Sequence, residues 1–334
     1  MTPAEIFAAH LPRPLPAPVA AQVFAPSNIA LSKYWGKRDK ALNLPLNSSL
    51  SISLGEWGTT TRIAPAEVDS LRFNGAALDR AAPAAAKIWT FVDLFCGTDR
   101  PPLAIKTTNS IPTAAGLASS ASGFAALTAA LDAAFRTDLP KTTQSMLARF
   151  GSGSATRSFW HGFARWDMGA AADGSDSHAR QIAVDMPDFR IAIVAVDTGP
   201  KTQSSTDGMT HTVATSPLYP QWPAQAEADC AAIEAALRVG DFPAVGALAE
   251  ANALAMHATM MAARPAVTYL KPQSWAVLDT LWAARRDGLA AYATMDAGAN
   301  VKLIFEDSST SDIRATFPAA QVINPFAPPP EGSV

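Results

Sequence analysis

Cysteine and histidine are scarce in this chain of 334 residues. The two cysteines, Cys96 and Cys230, form no Cys-x-x-Cys pair, and the five histidines show no pair at metal-ligand spacing. The sequence therefore excludes a disulfide framework and a zinc site built from cysteine and histidine. We expect both cysteines to be reduced, buried thiols of a cytosolic protein.

Charge and long apolar runs are also in short supply. Charged residues make up 16% of the chain and the net charge is −3, so the basic excess of a nucleic-acid-binding protein is missing. No apolar run reaches the length that crosses a membrane. Residues 1–21 have neither the basic start nor the apolar centre of a signal peptide, and we interpret them as a loose tail. We expect a cytoplasmic protein with no nucleic-acid or membrane partner.

Hydrophobic residues, by contrast, reach 49%, which suits a large core and two domains or one large one. Strands come first and mixed helices and strands follow, which indicates an α+β fold. We expect two domains, 22–188 and 189–325, that meet near Pro187. The predicted strands are 22–25, 48–54, 59–63, 71–73, 103–107, 162–166, 189–196, 290–295, 301–305 and 321–324. The predicted helices are 82–95, one that ends near Phe135, 142–150, 224–239, 242–261, 272–286 and 309–317.

A run of small residues, Pro-Thr-Ala-Ala-Gly-Leu-Ala-Ser-Ser-Ala-Ser-Gly at 112–123, lies between a predicted strand and a predicted helix. Loop amides and the positive end of a helix dipole bind anions, and serine hydroxyls can reach a phosphate or a metal ion. No Gly-Lys-Ser/Thr follows, so the run is not a lysine-bearing P-loop. Such a run is also typical of close helix packing, and the local sequence leaves both interpretations open.

A few charged residues stand in otherwise apolar or small-residue surroundings: Lys33, Lys37, Arg157, Lys201 and Asp296. Phosphoryl transfer needs a phosphate cradle, cations that spread charge, a divalent ion and a carboxylate near the accepting hydroxyl. Each residue also has a purely structural interpretation. The lysines can be solvated, the arginine can cap a helix and the aspartate can belong to a turn.

Several ordered motifs closely resemble those of mevalonate diphosphate decarboxylases, over residues 23–324. They are Asn-Ile-Ala at 28–30, Lys-Tyr-Trp-Gly-Lys-Arg-Asp at 33–39, Leu-Pro-Leu-Asn-Ser-Ser-Leu-Ser at 44–51, Asn-Ser-Ile at 109–111 with the small-residue run, Gly-Ser-Gly-Ser-Ala-Thr-Arg-Ser at 151–158, Lys201 with Ser-Ser-Thr-Asp-Gly-Met at 204–209, Asn-Ala-Leu-Ala-Met-His-Ala-Thr at 252–259 and Thr-Met-Asp-Ala-Gly at 294–298. These enzymes belong to the galactokinase, homoserine kinase, mevalonate kinase and phosphomevalonate kinase superfamily. The resemblance implies its two-domain fold, with the active site in the cleft between the domains, and a homodimer.

The implied reaction is an ATP-dependent decarboxylation that uses Mg²⁺. ATP phosphorylates the 3-hydroxyl of mevalonate 5-diphosphate, and phosphate and CO2 then leave to give isopentenyl diphosphate. By position, Asp296 matches the catalytic aspartate, Lys33 the lysine beside it, and Arg157 the arginine that grips the substrate carboxylate.

The resemblance assigns two further sets of residues. The substrate-binding set is Asn28, Tyr34, Lys37, Ser152 and Ser154. The ATP-binding set is Ala115, Gly116, Leu117, Ser119, Ser120 and Lys201, with Ser120 also the expected Mg²⁺ contact.

Three positions depart from the family pattern: Ser27, Ser32 and Ala299 stand where two apolar residues and a proline are usual. None of these changes removes a charge, so they bear on pocket shape and not on the chemistry. The loop at 170–179 has no counterpart that we can match. The alternatives left open are a decarboxylase of the 5-monophosphate, a 3-kinase without decarboxylation, and a non-catalytic nucleotide-binding regulator.

Overall fold

A computed structural model describes residues 1–111, 120–197, 199 and 203–334 of the chain. Its first half contains helices α1 (Pro3–His10), α2 (Pro83–Cys96), α3 (Ser120–Phe135) and α4 (Lys141–Ala148). The strands of this half are β1 (Ala21–Ser32), β2 (Lys37–Asp39), β3 (Leu44–Pro45), β4 (Ser49–Pro65), β5 (Ser70–Phe73), β6 (Ala76–Ala77), β7 (Leu103–Asn109), β8 (Phe163–Trp166) and β9 (Ala179–Ile182). Seven of them form a sheet of order β6-β5-β7-β4-β8-β9, in which β1 also pairs with β4, and β2 pairs with β3 in a separate two-stranded sheet.

Strand β4 corrects the sequence analysis, which predicted separate strands at 48–54 and 59–63. The structure has one continuous strand, and β1 pairs with both of its parts across an irregularity between Pro26 and Asn28. Gly55 lies at the bend with a φ of +57°, a left-handed conformation that glycine adopts without a steric cost. The backbone can therefore turn there without ending the strand.

The N-terminal segment is also not the loose tail that we predicted. Helix α1 begins with a capping box, in which Thr2 and Glu5 each bind the other's backbone N–H. Phe7 is fully buried, with its ring 5.3–6.3 Å from the rings of Phe91, Phe95 and Phe150. One buried aromatic ring thus attaches the segment to α2.

The second half contains strands β10 (Phe189–Val194), β11 (Ala291–Met295), β12 (Val301–Glu306) and β13 (Gln321–Ile323), in a sheet of order β11-β12-β10-β13. Its helices are α5 (Ser205–Thr215), α6 (Trp222–Arg238), α7 (Phe242–Met261), α8 (Pro272–Arg286) and α9 (Thr310–Thr316). The predicted helices are confirmed to within two residues at their ends. Helix α5 was missed, although Ser204 caps it by accepting a hydrogen bond from the Asp207 N–H.

A shared hydrophobic core joins the two halves. Ile29 on β1 and Ile52 on β4 pack in the same buried cluster as Ile191 on β10 and Ile233 on α6. Helix α3, whose alanines allow close approach, packs on β1 and β4 and points its N-terminus at the cleft between the halves. In the described part of the chain, no helix combines the length and the apolar character that a bilayer crossing requires.

Candidate active site

A cavity of about 430 Å³ opens where β1, the turn after β11 and the loop before β8 meet. Both halves of the chain contribute to its walls. Nine of the residues that line it were predicted for the site, namely Asn28, Lys33, Tyr34, Lys37, Ser120, Ser152, Ser154, Arg157 and Asp296. The structure therefore brings together every predicted site residue that it describes.

Asp296 lies in the tight turn between β11 and β12, where it faces the cavity with 40% of its side chain exposed. Lys33 Nζ is 2.8 Å from Asp296 Oδ1, and Lys302 Nζ is 3.0 Å from Asp296 Oδ2. Burial alone would raise the pKa of Asp296, but the charges and hydrogen bonds of the two lysines outweigh it and hold that pKa well below its usual range. The carboxylate is therefore ionised at any physiological pH.

Lys33 directly follows β1, and hydrogen bonds to its side chain and to its backbone hold it in place. Its ammonium donates to the Ala30 carbonyl at 2.8 Å, and its backbone N–H donates to Asn252 Oδ1 at 2.8 Å. Asn252 Nδ2 in turn donates to Asp229 Oδ2, which fixes the orientation of that amide. Burial lowers the pKa of Lys33 to about 8, against the opposing effect of Asp296. An anion that binds nearby would favour the charged form of Lys33.

Arg157 ends a 3₁₀ turn, Gly153–Arg157, and is buried without a salt bridge to any carboxylate among the described residues. One guanidinium nitrogen donates to Ser49 Oγ at 2.5 Å and another lies 3.4 Å from Asn28 Oδ1, while its Nε–H has no partner among the described residues. Burial lowers the pKa of Arg157 to about 10. A planar fork with an unused donor beside a cavity is suited to a carboxylate ligand.

Asn28 and the serines form the adjoining wall. The Asn28 amide donates to Ser158 Oγ at 2.8 Å and to the Ser154 carbonyl at 3.2 Å. Ser152 Oγ lies 3.2 Å from Ser154 Oγ and 3.5 Å from Ser120 Oγ, at the start of α3. Hydroxyls from the start of α3 and from the segment around the 3₁₀ turn therefore converge at the cavity wall.

Tyr34 and Lys37 also line the cavity. The Tyr34 ring packs against Trp166, with centroids 4.9 Å apart, and its hydroxyl is 3.4 Å from Asn43 Oδ1. Burial lowers the pKa of Lys37, and so do the charges of Lys87 and Lys40, which also line the cavity. None of these three lysines has an acidic partner in the described part of the chain, so this part of the cavity is attractive to a polyanion.

Some predicted residues, one departure from the family pattern and the loop at 170–179 can be placed briefly. Ala115, Gly116, Leu117, Ser119 and Lys201 lie outside the described residues. Ser27 Oγ donates to Ser122 Oγ at 3.1 Å, so the serine in place of the usual apolar residue joins a hydroxyl network beneath the cavity. The loop at 170–179 is anchored by buried Arg149, which donates to the carbonyls of Gly174 and Ser177.

Lys302 is the main site residue that the sequence analysis missed. It interrupts the apolar run Val-Lys-Leu-Ile-Phe at 301–305, and its side chain is only 4% exposed. A lysine inside a predicted buried strand was the available signal, because such a group needs a partner.

The part of the chain that the structure describes contains no cluster of three or more acidic, histidine or cysteine residues that could hold a metal ion. Asp296 is the one carboxylate among the described cavity residues. Mg²⁺ commonly takes few protein ligands and is completed by phosphates and water. The predicted contact from Ser120 is compatible with that kind of site.

Comparison with known protein families identifies the family to which the chain belongs. A model described as "Diphosphomevalonate decarboxylase-like N-terminal domain" matches residues 25–179, and one described as "Mevalonate 5-diphosphate decarboxylase C-terminal domain" matches residues 191–326. The chain belongs to the diphosphomevalonate decarboxylase family. The membership confirms the resemblance drawn from the motifs and makes the protein an ATP-dependent decarboxylase by family.

Individual relatives agree over most of their length. The diphosphomevalonate decarboxylases of Candida albicans and Homo sapiens are each 35% identical, over 88% and 87% of this chain and 86% and 78% of their own. The mevalonate diphosphate decarboxylase structure from Staphylococcus aureus aligns with a TM-score of 0.87 and 34% identity, covering 93% of this chain and 97% of the other. A complex of a similar protein with MVAPP, AMPPCP and magnesium aligns with a TM-score of 0.84 and 35% identity, covering 91% and 96%. The two-domain kinase-like fold expected for the family is thereby confirmed.

Proposed function

We propose that this chain converts mevalonate 5-diphosphate and ATP into isopentenyl diphosphate, ADP, phosphate and CO2, through a 3-phosphorylated intermediate. One observation carries the proposal: an ionised Asp296 and a buried Arg157 face the same cavity, with Lys33 beside the carboxylate. The S. aureus relative is named for this activity, and a similar protein binds MVAPP with an ATP analogue.

In the first step Asp296 accepts a hydrogen bond from the 3-hydroxyl and orients its oxygen toward the γ-phosphorus of ATP. The new O–P bond forms as the bond to ADP breaks, through a loose transition state. The hydroxyl becomes strongly acidic only once that bond has begun to form, so a weakly basic carboxylate suffices to receive its proton. Lys33, next to Asp296, spreads the charge of the phosphoryl oxygens.

In the second step the 3-phosphate leaves with its bonding electron pair. The C–C bond to the carboxylate breaks, its electrons form the new double bond, and CO2 departs. Arg157 holds the carboxylate beforehand through a bidentate contact, for which its planar guanidinium is suited. Ser49 and Asn28 each contact one of its terminal nitrogens, and its buried Nε–H has no partner among the described residues.

The remaining cavity residues divide between the two ligands, which meet where Ser152 approaches Ser120. Tyr34, Lys37, Ser152 and Ser154 bind the diphosphate end of the substrate, near the positive charges of Lys40 and Lys87. Ser120 and the small-residue run, with Lys201, take the phosphates of ATP. Mg²⁺, bound through Ser120 and those phosphates, would neutralise charge on the transferring group.

The deciding experiment presents purified protein with ATP, Mg²⁺ and each of mevalonate, its 5-phosphate and its 5-diphosphate. We expect CO2 and ADP in equal amounts from the 5-diphosphate. CO2 from the 5-phosphate alone would reassign the substrate, and ADP without CO2 would make the protein a 3-kinase. Neither product from any of the three would leave only the non-catalytic regulator.

We also propose that the protein is a cytoplasmic homodimer with domains at 22–188 and 189–325. The dimer rests on the family resemblance alone, and light scattering of the purified protein tests it. Two free, buried thiols suit a reducing compartment. The domain division is supported by the sheets, since β9 ends at Ile182 and β10 begins at Phe189.

A further inference from the structure

Lys302 lies where a lysine is costly. Its neighbours on β12, Val301, Leu303, Ile304 and Phe305, are all fully buried apolar residues. Burying an ammonium group is strongly unfavourable unless it is paired and hydrogen-bonded. The recorded partners of this ammonium are Asp296 Oδ2 at 3.0 Å and the Asn300 carbonyl at 3.4 Å.

Asp296 already has a counter-ion in Lys33, and the two lysines reach it from different parts of the fold. Lys33 comes from the end of β1, in the first half of the chain. Lys302 belongs to the same β-hairpin as Asp296, in which Thr294 pairs directly with Lys302. Any shift of β1 relative to the hairpin loosens the first ion pair and leaves the second intact.

The charge count shows why a second lysine is useful. Lys33, Lys302 and Arg157 surround the one carboxylate of the described cavity residues, so the site carries a surplus of positive charge. A substrate or nucleotide anion that enters will draw Lys33 toward itself. Asp296 would then lose much of its stabilisation if Lys33 were its sole counter-ion.

We propose that Lys302 is a positioning residue of the reaction: it holds the Oδ2 side of Asp296 fixed and ionised while Lys33 shares its charge with the transferring phosphoryl group. Oδ1 is thereby left to accept the hydrogen bond of the 3-hydroxyl. This role rests on the proposed function, because it matters for turnover only if Asp296 orients that hydroxyl.

Among the described residues, four charged or titratable groups face Asp296, and they determine how a pH profile of kcat is interpreted. Lys33 faces it from β1, Lys302 from β12, Arg157 from the 3₁₀ turn and His257 from α7. Burial and the charge of Lys33 lower the pKa of His257 to about 4, so the imidazole is neutral near pH 7. The two lysines are the groups that keep Asp296 ionised.

The test replaces Lys302 by methionine, which keeps the shape and removes the charge, and by arginine, which keeps the charge. We expect Lys302→Met to lower kcat by about 10- to 100-fold, with KM for the 5-diphosphate changed by less than about threefold. In Lys302→Met the acid limb of kcat should lie at higher pH than in wild type, where Asp296 stays ionised over the physiological range and sets no limb there, because losing a cation raises the pKa of a carboxylate that must be ionised. Lys302→Arg should keep the wild-type acid limb. Lys106→Met, which removes an exposed lysine on β7, is the matched control and should leave kcat and its acid limb unchanged.

A Lys302→Met protein with kcat within twofold of wild type and an unmoved acid limb would overturn the role. A denaturation cycle with Asp296→Asn tests the contact independently of turnover. If the ion pair holds Asp296, Lys302→Met lowers the midpoint less in the Asp296→Asn background than in wild type, and equal losses would refute it. Should wild-type protein release no CO2, the proposed function fails, and this cycle still decides whether Lys302 holds Asp296.

Discussion

Two clusters of charged residues in this molecule have opposite balances. The first, here the structural network, clamps α6 onto β8 and β9, and it consists of Arg165, Arg180, Arg238, Asp167, Glu227 and Glu234. The second, here the active-site cluster, consists of Lys33, Arg157, Lys302 and Asp296. The structural network matches three arginines with three carboxylates, whereas the active-site cluster sets three cations against one.

The difference in charge balance distinguishes a ligand-binding cluster from a purely structural one. Each arginine of the structural network donates to at least one carboxylate, so the network needs nothing further. In the active-site cluster Arg157 keeps a buried N–H without a partner in the described chain, and Asp296 faces the cavity. Buried surplus charge costs stability, and a protein that carries it gains when an anionic ligand binds.

The largest effect should follow from removing the single carboxylate of the active-site cluster. Asp296→Asn is nearly isosteric but cannot take a proton from the 3-hydroxyl, so we expect turnover to fall by about 10³-fold. ATP binding should stay within about threefold of wild type, because the nucleotide contacts lie elsewhere. CO2 release measures turnover, and a calorimetric titration with ATP measures nucleotide affinity. A variant that kept a tenth of the wild-type rate would remove Asp296 from its proposed role.

The contrast between the clusters was only partly visible in the sequence. The motifs placed Lys33, Arg157 and Asp296 in one site because each stands in a recognisable local context. Lys302 was missed, since its meaning depends on a cross-strand pair with Thr294 and on a carboxylate that only the folded hairpin brings near. Periodicity likewise gave the helices but not the unbroken β4, because a glycine bend looks like a strand end in sequence.

The second effect compares one arginine from each cluster. Arg157→Met should lower kcat/KM for the substrate by about 10²-fold through the lost carboxylate contact, and Arg157→Lys should not restore it, because an ammonium lacks the planar fork.

The matched change in the structural network is Arg165→Met. It leaves Glu227 without its arginine and should cost about 1–3 kcal/mol of stability, with KM unchanged. Steady-state kinetics and urea denaturation on both variants separate the two roles. A raised KM in Arg165→Met with unchanged stability would contradict the assignment of Arg165 to a structural role.

The third effect is a pH dependence confined to the structural network. Burial would raise the pKa of Glu234, but hydrogen bonds from Arg180 and Arg238 and the charge of Arg180 lower it from 4.5 to about 2. A carboxylate with a lowered pKa in the folded state stabilises above its unfolded pKa and loses that contribution as the pH falls through the folded value. The Tm advantage of wild type over Glu234→Gln should therefore be full at pH 7 and shrink from about pH 4.5 toward pH 2. A constant Tm difference over that range would contradict the lowered pKa.

The smallest effect belongs to the most exposed member of the structural network. Arg238 is 52% exposed and pairs with Glu234 one helical turn away on α6. Glu234 keeps Arg165 and Arg180 when Arg238 is replaced, so Arg238→Gln should cost no more than about 0.5 kcal/mol and leave kcat and KM unchanged. Urea denaturation beside Arg165→Met measures the difference. A loss of unfolding free energy equal to that of Arg165→Met would mean that the structural network acts as one unit. The charge balance of the whole network, and not the burial of each ion pair, would then set its contribution to stability.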